Sequence, residues 1–387
     1  MSSKIAFVEE ASQRGANVSA ICRKHGISRQ SGYKYLERFK KLGYAGLEEQ
    51  SRRPAGVPLA TAEDVVVAVI AVRDKHPTFG ASKLTVILRR TLGAKTPNER
   101  TVHRILERVG AIRRRKRKPR VSIVEHAPSV IATKPNDVWT IDFKGWWRAG
   151  DGSRCEPLTI RDAHSRFVFT VQLLPNTRSE AVRAVMLSLF RKYGVPAAIQ
   201  CDNGSPFISS QSRGGLTKLS AWWVSLGIRI VRSRPGCPQD NGGHERMHRD
   251  MLELEADPSA SKALQQRACD RWRQVFNHVR PHAALANKTP AEVYFAKKSP
   301  TDRRPHKHAL RIVAAAYPLT WQKRAVGCNG NIRIGGIDYF VSTALADYTV
   351  GIEPIEGLRH RVWFYDLDLG EIELATVTAS QVEKLAS

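Results

Sequence analysis

The chain has 387 residues, with 62 Lys and Arg against 36 Asp and Glu, a net charge of +26 and a pI near 10.2. Such an excess is out of proportion for an ordinary cytosolic enzyme of this size and points to a polyanionic partner. With 42% hydrophobic and 25% charged residues the chain can bury a core and is not a disordered polymer, and two to four domains are expected. No run approaches the roughly 18 apolar residues of a membrane span, and the first ten residues lack the layout of a secretory signal, so an intracellular protein is expected. Six cysteines without a C-x-x-C pair argue against both a disulfide framework and a cysteine zinc ribbon.

The first 120 residues hold 27 basic and 10 acidic side chains, and their order suggests small helical DNA-binding units. Within 1–50, a short helix capped by Ser19 runs into Gly26, a residue suited to the φ > 0 position that ends a helix. Ser28 then caps a second helix over 29–39, with Tyr35, Leu36 and Phe39 on one face and Arg29, Gln30, Tyr33 and Lys34 toward the other. This is the layout of a recognition helix entering a major groove, with an ordinary helical hairpin as the bland alternative.

After a polar linker at 51–60, a second unit covers 61–112. Apolar periodicity at 65–72 is followed by a break at Pro77-Thr78-Phe79-Gly80, a helix near 82–91 and another over 98–109 that turns Arg100, His103, Arg104 and Arg108 outward. Two tethered weak modules can read one long site, and dimerisation is the other role open to the second. A linker at 113–135 begins with Arg113, Arg114, Arg115, Lys116, Arg117, Lys118 and Arg120, seven positive charges in eight residues. It is expected to contact DNA phosphates rather than to be merely solvated.

In 136–300 acidic residues are scarce enough to be read singly. Asp142 ends the β-branched and aromatic run Val138-Trp139-Thr140-Ile141-Asp142, with further strands expected at 158–162 and 167–173 joined by a turn at His164-Ser165-Arg166. A helix over 179–193 leads to a short strand at 197–200, which places Asp202 at a strand's carboxyl end, where α/β folds put their chemistry. A helix at 216–226, a strand at 227–231 and a Gly- and Pro-rich loop precede a helix opening with His244 and Glu245. Three carboxylates in a basic chain make sense as ligands of hard divalent cations that share their shell with substrate phosphate.

The ordered set Trp139-Thr140-Ile141-Asp142, Asp162 with Ser165-Arg166-Phe167, Asp202-Asn203-Gly204, Cys237-Pro238, Asn241-Gly242 and Glu245-Arg246 resembles transposases of the DDE type. Their core is similar to that of retroviral integrases and RNase H, and the likeness is to the insertion-sequence families IS481 and IS3. The run Asn277-His278-Val279-Arg280-Pro281-His282-Ala283-Ala284-Leu285 and Thr289-Pro290-Ala291-Glu292 extends the resemblance, which covers about 17–300. The resemblance implies a multidomain protein: all-α helix-turn-helix units, a central α/β RNase H-like core at 136–300, and two-metal phosphodiester chemistry. It implies that Asp142, bridging, and Asp202 ligate two Mg²⁺ or Mn²⁺ ions, that Glu245 completes one shell, and that Asn203, Asn241, Arg246 and His248 lie beside them, with Arg249 contacting DNA. Water would cut a strand at the element's end, and the freed 3′-OH would attack another DNA segment. The implied partners are double-stranded transposon-end and target DNA and further copies of the chain, as a dimer or tetramer, with no membrane; the implied location is the bacterial cytoplasm, at the nucleoid. The Asp202-to-Glu245 spacing of 43 is longer than the family's usual one, and the polar stretch 209–215 can absorb the difference. Asp162 reads as a structural acid pairing with Arg166, and Asp240 as a loop cap.

His244-Glu245-Arg246-Met247-His248 also spells H-E-x-x-H, the zinc-peptidase pattern. Its place at a helix start, the lack of an evident third ligand and the charge of the chain make it the remote alternative, and a DNA-binding regulator with an inactive core is the nearer one. His248 is then expected to face solvent or DNA. After a linker at 301–318, residues 319–376 alternate apolar and polar residues in five expected strands, a small SH3-like barrel. Residues 301–387 hold 10 basic and 10 acidic groups, so subunit assembly is favoured there over phosphate binding.

Overall fold

The computed structural model describes residues 2–49, 61–112, 130–234, 237–296 and 310–375, in two compact units, 1–62 and 63–387. The expected basic contacts Arg113, Arg114, Arg115, Lys116, Arg117, Lys118 and Arg120 lie outside the described residues.

The first unit holds three helices, α1 (Ser2–Ala11), α2 (Val18–Lys24) and α3 (Arg29–Leu42). They close on Phe7, Val8, Ile21, Cys22 and Leu47, with Tyr35, Leu36 and Phe39 packed against that core. Helix α1 is not among the elements expected from the sequence; Phe7, Val8 and Ala11 form its buried stripe. Asn17 caps α2 by accepting from Ala20 N, which corrects the choice of Ser19, whereas Ser28 caps α3 as expected and Gly26 sits at φ +66°. Gly32 is required by a close approach, since a Cβ there would run into Cys22 Sγ and Phe7. Arg29, Gln30, Tyr33 and Lys34 are all exposed along α3.

The second unit opens with α4 (Glu63–Lys75), α5 (Ala81–Leu92) and α6 (Glu99–Arg108) around Val69, Leu84, Leu88, Val102 and Leu106. Asn98 caps α6, and Arg100, His103, Arg104 and Arg108 are exposed. The α/β core follows: β1 (Val138–Phe143), the hairpin β2 (Trp147–Arg148) and β3 (Arg154–Cys155), then β4 (Pro157–Asp162), β5 (Val168–Leu173), α7 (Ser179–Tyr193), β6 (Ala198–Cys201), α8 (Lys218–Ser225) and β7 (Arg229–Arg232). Four helices complete it: α9 (Gly242–Asp250), α10 (Leu252–Ala256), α11 (Lys262–His278) and α12 (Pro290–Tyr294).

The sheet runs β5-β4-β1-β6-β7, antiparallel from β5 to β1 and parallel from β1 to β7. Period-two alternation sends Trp139, Ile141, Leu158, Ile160, Ile199 and Cys201 to one face, where α7 and α8 cover them with Met186, Phe190, Trp222 and Trp223. On the other face Val168, Val171 and Leu173 meet Met247, Met251, Cys269, Trp272 and Phe276 from α9 and α11. The free edge of β5 is covered too: Asn277 donates to Val168 O and accepts from Val168 N, while Gln266 donates to Val171 O and accepts from Leu173 N. An edge satisfied by side-chain amides is closed to strand addition.

The C-terminal strand-rich region has six strands rather than five: β8 (Gln322–Ala325), β9 (Asn331–Ile334), β10 (Ile337–Phe340), β11 (Thr349–Glu356), β12 (Arg359–Phe364) and β13 (Leu367–Glu373). They form a four-stranded sheet, β13-β12-β11-β8, and the hairpin β10-β9. Its core is continuous with Leu216, Ala221 and Val224 of the α/β core. The insert at 209–215 is the docking point, with Ser212 Oγ 2.9 Å from Ser342 Oγ and Arg213 donating to Glu371 O at 3.0 Å. The expected linker is not free where it is described: Val313 donates to Ser225 O and accepts from the Tyr365 hydroxyl.

Trp223 is fully buried between the sheet and α7, its indole donating to Met186 Sδ. Trp223→Ala is expected to cost about 3–5 kcal/mol, read as a lowered urea midpoint of the second unit; a change below about 1 kcal/mol would contradict this packing.

Candidate active site

Asp142 and Asp202 come together through strand register. β1 and β6 run parallel with Val138 opposite Ala198 and Thr140 opposite Gln200, so continuing the register by two residues sets Asp142 beside Asp202. Alternation puts both on the face opposite Trp139, Ile141, Ile199 and Cys201, the face over which α9 lies. Asp202 turns a carboxylate oxygen back to its own loop, accepting from Gly204 N at 3.2 Å. A Cβ on Gly204 would press on that carboxylate at 3.1 Å.

Helix α9 is fixed to the sheet by polar contacts from three strands. Asn241, just before it, donates to Asp142 Oδ2 at 2.7 Å, and Gln200 on β6 donates to Asp240 O at 2.7 Å. His244 Nε2 is 3.4 Å from Thr140 Oγ1 on β1, and His248 Nε2 is 2.9 Å from Thr159 Oγ1 on β4. Arg161, also on β4, donates to Gly243 O at 2.7 Å. Its guanidinium lies where a Cβ of Gly243 would be, which is why that position takes glycine. With His244 and His248 turned to the sheet, Glu245 is left on the exposed side of the helix.

Burial raises the Asp142 carboxyl to about 6, the negative charges of Asp202 and Glu245 push the same way, and the Asn241 hydrogen bond opposes them. Asp202 and Glu245 therefore each lie within electrostatic reach of Asp142. Among the described residues no three His, Cys, Asp or Glu side chains stand close enough as a group to hold a metal ion. The donor chemistry nevertheless fits a hard cation: oxygen ligands only, one of them half-buried, like-charged and without a basic partner closer than the His244 ring at 4.0 Å.

The remaining expected neighbours divide. Asn241 contacts Asp142 directly, whereas Asn203 donates to Ser233 O and braces the loop after β7. Arg246 and Arg249 are exposed and line a cavity beside α9. His248 does not face solvent or DNA: it bonds Thr159, stacks on His244 with centroids 5.4 Å apart, and burial lowers its pKa to about 4. Burial, Arg161 and His248 hold His244 neutral as well. Two histidines whose Nε2 atoms are turned to threonine hydroxyls are not a zinc-peptidase pair, and the H-E-x-x-H match is a coincidence of spacing.

Asp162 is structural, as expected, but through other partners than Arg166. Fully buried, it accepts from Ser165 N and Oγ at 2.7 and 2.6 Å and from Asn136 N at 2.8 Å. Asp240 caps its loop by accepting from Arg234 N and pairing with the Arg234 guanidinium.

Sequence reading missed Arg161, Lys83, Arg280 and His282 as a group; the signal available was a charged residue at an inward position of β4 and the basic character of the Arg280-Pro281-His282 run. Burial, with Arg280, Arg166, Lys83 and Arg161 nearby, lowers His282 to about 3. Above pH 6.5 neither folded nor unfolded His282 carries a proton; as pH falls from 6.5 toward 3 only the unfolded chain gains one, so stability falls. Over that window His282→Gln is expected to flatten the pH dependence of the urea midpoint by on the order of 1 kcal/mol per pH unit, and an unchanged slope would rule this out.

Two family descriptions of an integrase core domain match this region, at residues 132–238 and 226–290. A helix-turn-helix domain matches residues 3–55 and a homeodomain-like domain residues 31–106. An uncharacterized 39.2 kDa protein of insertion element IS476 from Xanthomonas euvesicatoria is 23% identical over 281 residues, 72% of this chain and 78% of that protein. A 31.7 kDa uncharacterized protein of insertion element IS407 from Burkholderia multivorans is 24% identical over 61% of this chain and 82% of its own length. Among solved structures, the catalytic core domain of HTLV-2 integrase in complex with magnesium aligns at 18% identity over 42% of this chain and 98% of that one, with a TM-score of 0.32. The chain thus carries helix-turn-helix domains followed by an integrase core domain, consistent with an IS3/IS481-like transposase.

Proposed function

We propose that this protein is a DNA transposase that binds the terminal inverted repeats of an insertion sequence and performs 3′-end cleavage and strand transfer at Asp142, Asp202 and Glu245. The observation that carries the reading is the parallel β1/β6 register, which delivers two carboxylates to one sheet face, under a helix whose sheet-facing His244 and His248 leave a third carboxylate, Glu245, on the exposed side. The exposed cations of α3 and α6, Arg29, Lys34, Arg100 and Arg104 with Gln30, Tyr33 and His103, supply DNA contacts, and the sequence of seven basic residues at 113–120 supplies phosphate neutralisation.

Asp142, Asp202 and Glu245 would hold Mg²⁺ or Mn²⁺, two ions per site. Bound there, the ions supply Lewis-acid activation of an attacking oxygen and of the leaving oxygen at the scissile phosphodiester. The chain's own residues do the rest. Asn241 holds Asp142 through Oδ2, and the Phe143 backbone N–H also favours its ionised form. Thr159 accepts the orientation imposed by His248 and donates to Asp142 O, fixing β1 under α9. His244 and His248, neutral in the working range, add no positive charge that would compete with cations for the carboxylates. In the first step water attacks phosphorus and the 3′-oxygen leaves, so one phosphodiester becomes a 3′-hydroxyl and a 5′-phosphate; in the second that 3′-hydroxyl attacks another phosphodiester whose own 3′-oxygen leaves, so one phosphodiester is exchanged for another.

Asp142→Asn is expected to keep binding to the element's end DNA within about twofold and to lower Mg²⁺- or Mn²⁺-dependent cutting and joining by about 10²–10³-fold, the order seen when one electrostatic group is removed from a transition state. Cutting that survives in Asp142→Asn and Asp202→Asn overturns the assignment, and wild-type protein that binds ends but never cuts them leaves the DNA-binding regulator as the function.

A further inference from the structure

Beside α9 lies a cavity of about 620 Å³ walled by α5, the end of β4, α9 and the turn after α11. Six cations line it, Lys83, Arg161, Arg166, Arg246, Arg249 and Arg280, against two acids, Glu245 and Asp250. Asp250 is taken up by Arg280, at 2.5 Å, and among the described residues Lys83, Arg166, Arg246 and Arg249 form no ion pair. Buried donors point to a missing partner: Arg161 Nε and Arg280 Nε are shielded from water and unpaired, as is His282 Nε2, in residues exposed by 8, 7 and 9%. A buried N–H left without a partner is destabilising, which favours a ligand that supplies the acceptor. Lys83 registers the crowding, its ammonium lowered to about 8 by burial and by Arg280 and Arg246. The first residues of α9, Gly242 and Gly243, also line the space and turn a helix start toward it.

We propose that this cavity is a phosphate-binding pocket that takes a backbone phosphodiester of the DNA strand passing Glu245. The inference rests on the DNA-joining function proposed above and adds to it a second, cation-lined subsite, which Glu245 borders and which Asp142 and Asp202 do not line. Guanidinium forks match phosphate oxygens, the volume admits a phosphate with its flanking sugar, and Glu245 lies on the cavity wall. A strand anchored here is held beside the acids.

The test uses the full chain and the double variant Lys83→Gln/Arg166→Gln, whose residues hold no structural hydrogen bond to be lost, with melting temperature as the folding control. Binding of a 30-base-pair duplex is measured across salt. Loss of one phosphate contact lowers the slope of log K against log salt by about 0.9, and Lys83→Arg/Arg166→Lys restores it. An unchanged slope in a folded variant whose parent binds and cuts DNA overturns the pocket and leaves the function standing. If the parent does not bind DNA, the function fails; a melting temperature raised by inorganic phosphate in the parent alone then assigns the pocket to a free phosphate and overturns the DNA form of the proposal.

Discussion

The site depends on one seam, the polar contact between α9 and the sheet. A nine-residue helix with a buried stripe of only His244, Met247 and the following Met251 has little apolar area with which to fix its own rotation. Rotation and position are instead set by side chains that can bond in one arrangement only: Asn241 to Asp142, His244 against Thr140, His248 against Thr159, and Arg161 to Gly243 O. Because the low local dielectric makes each unmade bond costly, these contacts specify a register more sharply than apolar packing could. Glu245 inherits its direction from its neighbours on the helix.

The same logic explains residues whose sequence context suggested other work. The histidine pair serves as two neutral spacers between helix and strands, and burial keeps it neutral. Asn136, at φ +69°, gathers the opposite corner: it donates through its backbone N–H to Asp162, donates its amide to Tyr193 O, and accepts from both the Trp139 indole and the Tyr294 hydroxyl. Asp162 is thereby committed to holding the β4–β5 turn, where Arg166 sits at φ +64°.

Much of this was legible in the sequence. Period-two alternation and turn residues gave the strands that carry Asp142 and Asp202, and α7 falls on the expected 179–193. The cap at Ser28 is as expected, whereas α2 is capped by Asn17, two residues before the expected Ser19, and Asn98, expected as the first residue of its helix, is that helix's cap. What the sequence could not reveal were partnerships across 80 to 110 positions, such as Arg161 with Gly243 or Val168 with Asn277, since no local pattern encodes a register between a strand and a helix that late in the chain. The insert at 209–215 was legible as extra length, but its use as the seat of the C-terminal sheet needed that sheet's curvature and apolar face.

The separation of charge is the feature that ties fold to chemistry. A chain of net charge +26 has cations to spare, yet among the described residues Asp142 has no arginine or lysine as a hydrogen-bonded partner, while Arg161 and Arg280 line one cavity beside α9. Had the acids and these arginines been allowed to pair, both groups would be satisfied and neither would have affinity left for a ligand. Helix α9 limits it: its backbone takes one Arg161 hydrogen bond and its histidines pack against Thr140 and Thr159, so Asp142 and Arg161 do not pair, while Glu245 borders the arginine-lined cavity. A phosphodiester with its divalent counterions carries both missing charges, negative for the arginines and positive for the carboxylates, so a single DNA strand laid across the helix start would relieve both strains at once.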